Sequence, residues 1–235
     1  MDVKEVLQEL KALASERTKK IYMSQGAHEP LFGVATGAMK PIFKKVKLNQ
    51  AMAEELYATG NFDAMYFAGM IADPKIMTEE DFDRWMETAY FHMISDFIVA
   101  VTLAESDIAQ QVSDKWIASG KELYMSAGYS CYCWLLGNRK DTEFDKDKLS
   151  NMLDVVEKTI HNSPNRARNA MNNFVTTVGV SYVPLHEKAV KVANAIGTVE
   201  VFRGDNKVSV GVAAEEIQKM AEKGKLGFKR KYVRC

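Results

Sequence analysis

Apolar residues recur at three- and four-residue spacing along almost the whole chain, and cap residues, glycines and prolines interrupt them at short, regular intervals. That alternation confines the chain to a fold of many short helices joined by short loops. Val3, Val6, Leu7, Leu10, Leu13 and Ala14 trace one apolar stripe on a first helix. Gln25-Gly26-Ala27-His28-Glu29-Pro30 breaks the pattern, and a glycine-containing turn follows at Phe32-Gly33-Val34. Met39, Ile42, Phe43 and Val46 predict a short helix with Pro41 in its first turn, where no N–H partner is lost. Asn49 is placed to cap a helix ending at Gly60, and Asn61 to cap another ending near Pro74. Thr78-Glu79-Glu80-Asp81 has the form of a capping box opening a helix through Trp85.

Residues 91–104 form a long apolar run broken by His92, Ser95, Asp96 and Thr102. Ser106 is expected to cap a helix ending at Gly120, and a further helix runs from Glu122 to Leu136, stopped by Gly137-Asn138. Beyond a charged loop over 139–148, residues 149–160 are amphipathic. Ser163-Pro164 reads as a cap followed by proline at the first helical position, starting a helix that ends near Gly179. Pro184 and Gly197 bracket the next helix. Residues 198–202 and 208–210 read as strands around Gly204-Asp205-Asn206, ahead of a last helix over 212–222 and a basic tail.

The expected fold class is therefore all-α, with about eleven helices of about 10–16 residues. Pairs of them recur every ~35–45 residues, the period of helical solenoid repeats. Each pair would bury its apolar faces against its neighbours alone, giving a curved α-α superhelix with a concave surface. A globular bundle has the same periodicity. One domain over 1–235 is expected, with 197–235 forming a small β-turn, a C-terminal helix and the tail.

Composition narrows the classes further. Of 235 residues, 47% are hydrophobic, too many for a disordered chain. No uncharged apolar stretch reaches the roughly 18 residues that would span a membrane. The charged start Met1-Asp2-Val3-Lys4-Glu5 lacks the apolar block of a secretory leader. Three cysteines, an odd number, fit a reducing cytoplasm better than a disulfide framework, so a cytoplasmic location is expected. Lys+Arg and Asp+Glu number 31 each, yet residues 1–137 carry 13 against 19 (net −6) and residues 138–235 carry 18 against 12 (net +6). Such asymmetry points to a polyanionic partner, and chance clustering produces it as well.

No metal site is expected. His28, His92, His161 and His186 have no ligand spacing around them, and Cys131-x-Cys133 has no second pair. Gly33-x-x-x-Gly37 lacks the Lys-Ser/Thr of a phosphate loop, and Ser130-Cys131 has no obvious histidine partner. Two features remain. Asp96 lies within the apolar run Met93 to Ala100, where an unpaired carboxylate would be costly; it is either paired, on the helix's polar stripe, or facing a functional cavity. Between Glu157 and Glu187 there is no acid, while Lys158, His161, Arg166, Arg168 and His186 are present with Asn162, Asn165, Asn169, Asn172 and Asn173. Arg166 and Asn165 fall in the first turn after Ser163-Pro164, a surface suited to phosphate. Lys225, Lys229, Arg230, Lys231 and Arg234 of the tail could extend it.

Several segments, in order, resemble the AlkD-like family of DNA alkylation repair proteins, which are built from HEAT-like helical repeats. They are Leu31-Phe32-Gly33-Val34 before a Lys-rich helix bearing Lys44 and Lys45, Ala68-Gly69-Met70-Ile71-Ala72-Asp73-Pro74, and Thr78 to Trp85. Lys115-Trp116, Ala127-Gly128-Tyr129, Pro184 to Gly197 with Lys188, and Gly227 to Cys235 complete the set. The resemblance implies a solenoid that grips double-stranded DNA, alkylated or structurally distorted, through a basic concave face. It also implies a monofunctional glycosylase activity that hydrolyses the N-glycosidic bond of N3- or N7-alkylated purines, with no cofactor and no metal. Such a cationic base leaves readily, so the site need only stabilise positive charge developing on the sugar.

Carried over by residue, the family's Trp-x-x-x-Asp pair falls on His92 and Asp96, keeping the candidate catalytic carboxylate and replacing the tryptophan. The site arginine falls on Met125-Ser126, and the second cleft tryptophan falls on Asn173. Loss of one transition-state partner costs about 10²–10³ in rate. Two functions stay open: excision through Asp96, and a catalytically inactive solenoid that binds branched, bent or damaged DNA. The DNA-binding candidates are Asn165, Arg166, Arg168, Lys44, Lys45, Lys188, Lys229, Arg230 and Lys231, on a chain expected to be monomeric.

Overall fold

The structure, a computed structural model, describes residues 1–203 and 206–234. Gly204 and Asp205 of the expected turn, and Cys235, lie outside the described residues. These fall into two compact units, residues 1–107 with Arg234, and residues 108–233.

The first unit is all-helical: α1 (Val3–Ala12), α2 (Glu16–Ser24), α3 (Lys40–Val46), α4 (Gln50–Ala58), α5 (Phe62–Ile71), α6 (Glu79–Thr88) and α7 (92–104). Side-chain caps set most of the starts. Asn49 and Asn61 accept from the backbone N–H groups of Met52 and Ala64, and Asp2 forms a reciprocal capping box with Glu5. Helix α2 has no counterpart in the sequence expectation. Its first turns are charged and Tyr22 is its buried residue, so it lacks a stripe; the Ser15 hydroxyl, accepting from the Thr18 N–H, marks its start. In α7 the ladder widens over Ser95–Val99 into a π turn, with the Ala100 N–H donating to the Ser95 carbonyl. Fully buried Leu10, Leu56, Phe67, Phe82 and Ile94 fill the core, and Tyr57 stacks on Trp85 at 4.1 Å and 4°.

At the start of α6, Thr78 and Asp81 exchange backbone bonds, and Arg84 reaches Asp81 at 2.8 Å and Glu54 at 2.9 Å. Burial opposes the charge on Asp81, but the Thr78 amide and the Arg84 guanidinium outweigh it and hold the carboxyl below its ordinary range. A carboxyl whose folded pKa is depressed stabilises the fold above its unfolded pKa, and that contribution is lost as pH falls through the folded value. Thr78→Ala is expected to cost about 1 kcal/mol. Asp81→Asn should cost stability at neutral pH and much less in acid below the carboxylate range, as read by urea unfolding at the two pH values.

The second unit holds α8 (Ala109–Ala118), α9 (Glu122–Leu136), α10 (Lys146–Thr159), α11 (Asn165–Ser181), α12 (His186–Ile196) and α13 (Ala213–Glu222). Thirteen α-helices among the described residues replace the eleven expected. Between α12 and α13 an antiparallel hairpin pairs β1 (Glu200–Arg203) with β2 (Asn206–Ser209), Val201 opposite Val208. Val201 points inward and Phe202 outward, the period of two that marked the segment as strand. Helices α9 and α11 lie side by side around fully buried Trp116, Tyr129, Tyr132 and Phe174, and the Tyr132 hydroxyl donates to Asp114 at 2.7 Å.

Three boundaries differ from expectation. The Ser163 hydroxyl turns back to donate to the Thr159 carbonyl at 2.9 Å, and α11 begins at Asn165 behind Pro164 without a side-chain cap. Gly179 does not end α11, which continues to Ser181. A Cβ at 179 would lie 2.5 Å from Ile217 Cδ1, so this glycine is there to let α13 pack closely. Helix α8 starts at Ala109, three residues past Ser106, whose hydroxyl donates to the Leu103 carbonyl.

Candidate nucleic-acid interface

In the first unit, α7 carries both His92 and Asp96. Asp96 is 5% exposed, and its carboxylate accepts a 2.8 Å bond from the Ser95 hydroxyl. His92 meets Phe91 edge-on at 5.7 Å, and Phe91 packs on Phe62 and Tyr90, with Tyr90 stacked on His28 at 3.7 Å. Burial pushes the Tyr90 phenol up from its ordinary value. Lys44 and Lys45 sit exposed in the last turn of α3, Lys45 paired with Glu9 at 2.7 Å.

Asp63, which the sequence reading passed over, is the most enclosed carboxylate of this unit. It is 0% exposed and accepts from the backbone N–H groups of Phe32 at 2.5 Å, Gly33 at 2.9 Å and Val34 at 2.7 Å. Three amides converging on one carboxylate compensate its desolvation and fix the segment between α2 and α3. The available signal was an acid in the otherwise uncharged sequence of α5.

In the second unit the helix-start residues are engaged with the hairpin. The Asn165 amide both donates to the Phe202 carbonyl at 2.9 Å and accepts from its N–H at 2.6 Å. Arg168 donates through Nε to the Ser163 carbonyl at 2.7 Å and through a terminal nitrogen to the Glu200 carbonyl at 3.4 Å. The Arg166 N–H donates to Glu122 at 3.2 Å, so a carboxylate stands at this helix start. Lys188 reaches Ser150 and Asp154 of α10.

The tail folds back instead of dangling in solvent. Lys229 donates to the Leu136 carbonyl and pairs with Asp141 at 2.8 Å, Arg230 lies over the Trp134 ring at 5.1 Å, and Lys231 lies over Tyr232 at 5.1 Å. Of the substituted positions, Met125 is half-buried and Ser126 buried, both near the start of α9. Asn173 is exposed and lines a cavity of about 410 Å³ together with Trp134, Lys225, Phe228 and Arg230. The structure thus brings Asn173 and Arg230 to one cavity, while Asn165 and Arg168 serve the hairpin.

Among the described residues, no group of three His, Cys, Asp or Glu could hold a metal ion, and no helix is long and apolar enough to cross a membrane.

Residues 6–223 match the family model described as DNA alkylation repair enzyme. An uncharacterized protein of Listeria innocua serovar 6a, Lin0241, is 30% identical over 217 residues, covering 90% of this chain and 93% of that one. Lmo0209 of Listeria monocytogenes serovar 1/2a, also uncharacterized, is 29% identical over 223 residues, covering 92% and 96%. A solved structure matches at a TM-score of 0.97 and 69% identity over 100% of both chains. It is described as one of a new family of proteins related to the HEAT-like repeat DNA glycosylases with affinity for branched DNA structures. The all-α architecture is thus that of the HEAT-like helical-repeat fold.

Proposed function

The chain belongs to the DNA alkylation repair enzyme family, and from that premise we propose that it binds branched or distorted duplex DNA without excising a base. The observation that carries this reading is Asp96. A carboxylate that stabilises charge on a sugar must reach that sugar, and this one is 5% exposed and hydrogen-bonded to its own neighbour. The other positions that the family resemblance assigns to the reaction, His92, Met125, Ser126 and Asn173, carry neither tryptophan nor arginine. The 69% identical neighbour, related to glycosylases and with affinity for branched DNA, supports the same reading. Binding would draw on exposed lysines such as Lys44 and on the cations of the second unit, through phosphates rather than base edges.

The test compares a three-way junction with linear duplex at two salt concentrations, alongside alkylpurine release from methylated duplex. The junction should bind more tightly, its affinity should fall about tenfold or more from low to high salt, and no purine should be released. Asp96→Asn should bind the junction as the wild type does. Purine release by the wild type that disappears in Asp96→Asn would establish excision in its place. Salt-insensitive affinity, equal for junction and duplex, would remove DNA binding altogether.

A further inference from the structure

The cavity in the second unit has a chemistry that neither the family nor the relatives assign. Its volume, about 410 Å³, falls in the range of small-ligand sites. Two π faces border it: the half-buried Trp134 at the end of α9, and Phe228, which is 58% exposed. At the rim of the cavity, the Phe228 ring offers an open face that a flat ligand can cover. Two cations, Lys225 and Arg230, line the same space, and no carboxylate does. Thr176, Thr177 and Ser181 add hydroxyl groups along the α11 wall, with the Asn173 amide at the edge.

We propose that this cavity takes a single unpaired nucleotide from the branch point of the DNA, its neutral base stacked on Trp134 and Phe228 and its phosphate against Arg230 and Lys225. The inference rests on the DNA-binding reading above and names what that DNA must offer. The Arg230 guanidinium lies 5.1 Å from the centre of the indole ring, so the cation that takes the phosphate and the ring that takes the base are already neighbours. The Thr176 and Thr177 hydroxyls give their protons to the Asn172 and Asn173 carbonyls and keep lone pairs that can accept from a base edge, while the Asn173 amide can accept or donate, which gives tolerance of sequence. The two cations also set the sign of the ligand. A positively charged alkylpurine would meet like charge in a partly desolvated space, whereas a neutral base with its phosphate meets complementary charge.

The protein offers its own reporter. Trp85 and Trp116 are 1% and 0% exposed, so Trp134 is the one of the three indoles open to a ligand. The experiment uses the full chain and two three-way junctions, one fully paired and one carrying two unpaired 2-aminopurines at the branch. The unpaired junction should bind about tenfold more tightly than the paired one. Trp134 emission and 2-aminopurine emission should both be quenched on binding. Trp134→Ala should abolish the tenfold difference while leaving affinity for the paired junction in place. Phe228→Ala removes a ring that is 58% exposed and should cut the same difference. Equal affinity for the two junctions with unquenched emission overturns the cavity assignment and leaves branched-DNA binding standing. Failure of both junctions to bind overturns the DNA reading, and this inference with it.

Discussion

Replacing Asp63 with alanine is expected to lower the unfolding free energy of the first unit by about 3–5 kcal/mol. The carboxylate is fully enclosed and holds three successive backbone N–H groups, those of Phe32, Gly33 and Val34. Each buried donor left without a partner costs about 1–3 kcal/mol, and bonds to a charged acceptor are the stronger kind. The loop can recover part of this by admitting water, which keeps the total below the simple sum. Asp63→Asn is the informative companion. The amide keeps one carbonyl oxygen as acceptor and turns an NH₂ toward a backbone donor, so it should recover less than half of the loss. Urea unfolding followed by circular dichroism reads both variants; a cost below about 1 kcal/mol for the alanine variant would mean that the loop is held by something else.

Gly33→Ala is expected to cost about 2–5 kcal/mol, by a different route to the same loop. Gly33 has φ +83°, in the left-handed region, where an L side chain costs about 1–2 kcal/mol. An added Cβ would also lie 2.6 Å from the Lys19 backbone nitrogen and 2.8 Å from its Cα, so helix α2 would have to move. Crowding of this kind adds about 1–3 kcal/mol. The Gly33 carbonyl accepts from the Ser15 N–H at 3.1 Å, so the displacement reaches the start of α2 as well. Because Gly33 donates to Asp63, the two substitutions share one set of bonds, and the double variant should lose clearly less than the two single losses added together. Strict additivity in that cycle would show the carboxylate and the turn to be independent.

These two positions also explain what could be read in the sequence and what could not. Asn49, Asn61 and Thr78 were legible because a cap is chemistry between residues two or three apart, and each forms the predicted bond. Asp96 was legible as a costly acid in an apolar run, but its place was not, because a position on the helix's polar stripe stayed open; the structure buries it with the adjacent serine as a bonding partner. The partners of Asp63 were not legible: the uncharged sequence of α5 marks it as an acid that must be held, but those three groups lie 29 to 31 residues away. Gly179 was misread because, taken locally, glycine after a helical run signals an end. Its reason is Ile217, brought alongside by a helix that follows the hairpin. Likewise Arg230 was legible as a basic residue but not as the partner of Trp134, and the cavity they share is a product of the tail folding back.

The widened turn at Ser95–Val99 makes chain length negotiable in the middle of α7. A helix that closes one ring from Ser95 to Ala100 holds a surplus residue relative to a regular ladder, and its flanks stay seated because the bulge absorbs it. Losing one residue there would collapse the bulge and leave the neighbours of Ile94 and Leu103 where they are, so cousins differing by a single gap at this place could share one architecture. Matching letters across such a gap slides one flank past the other. Which side chain occupies a given point on this helix is decided by the width of the turn before it is decided by the alphabet.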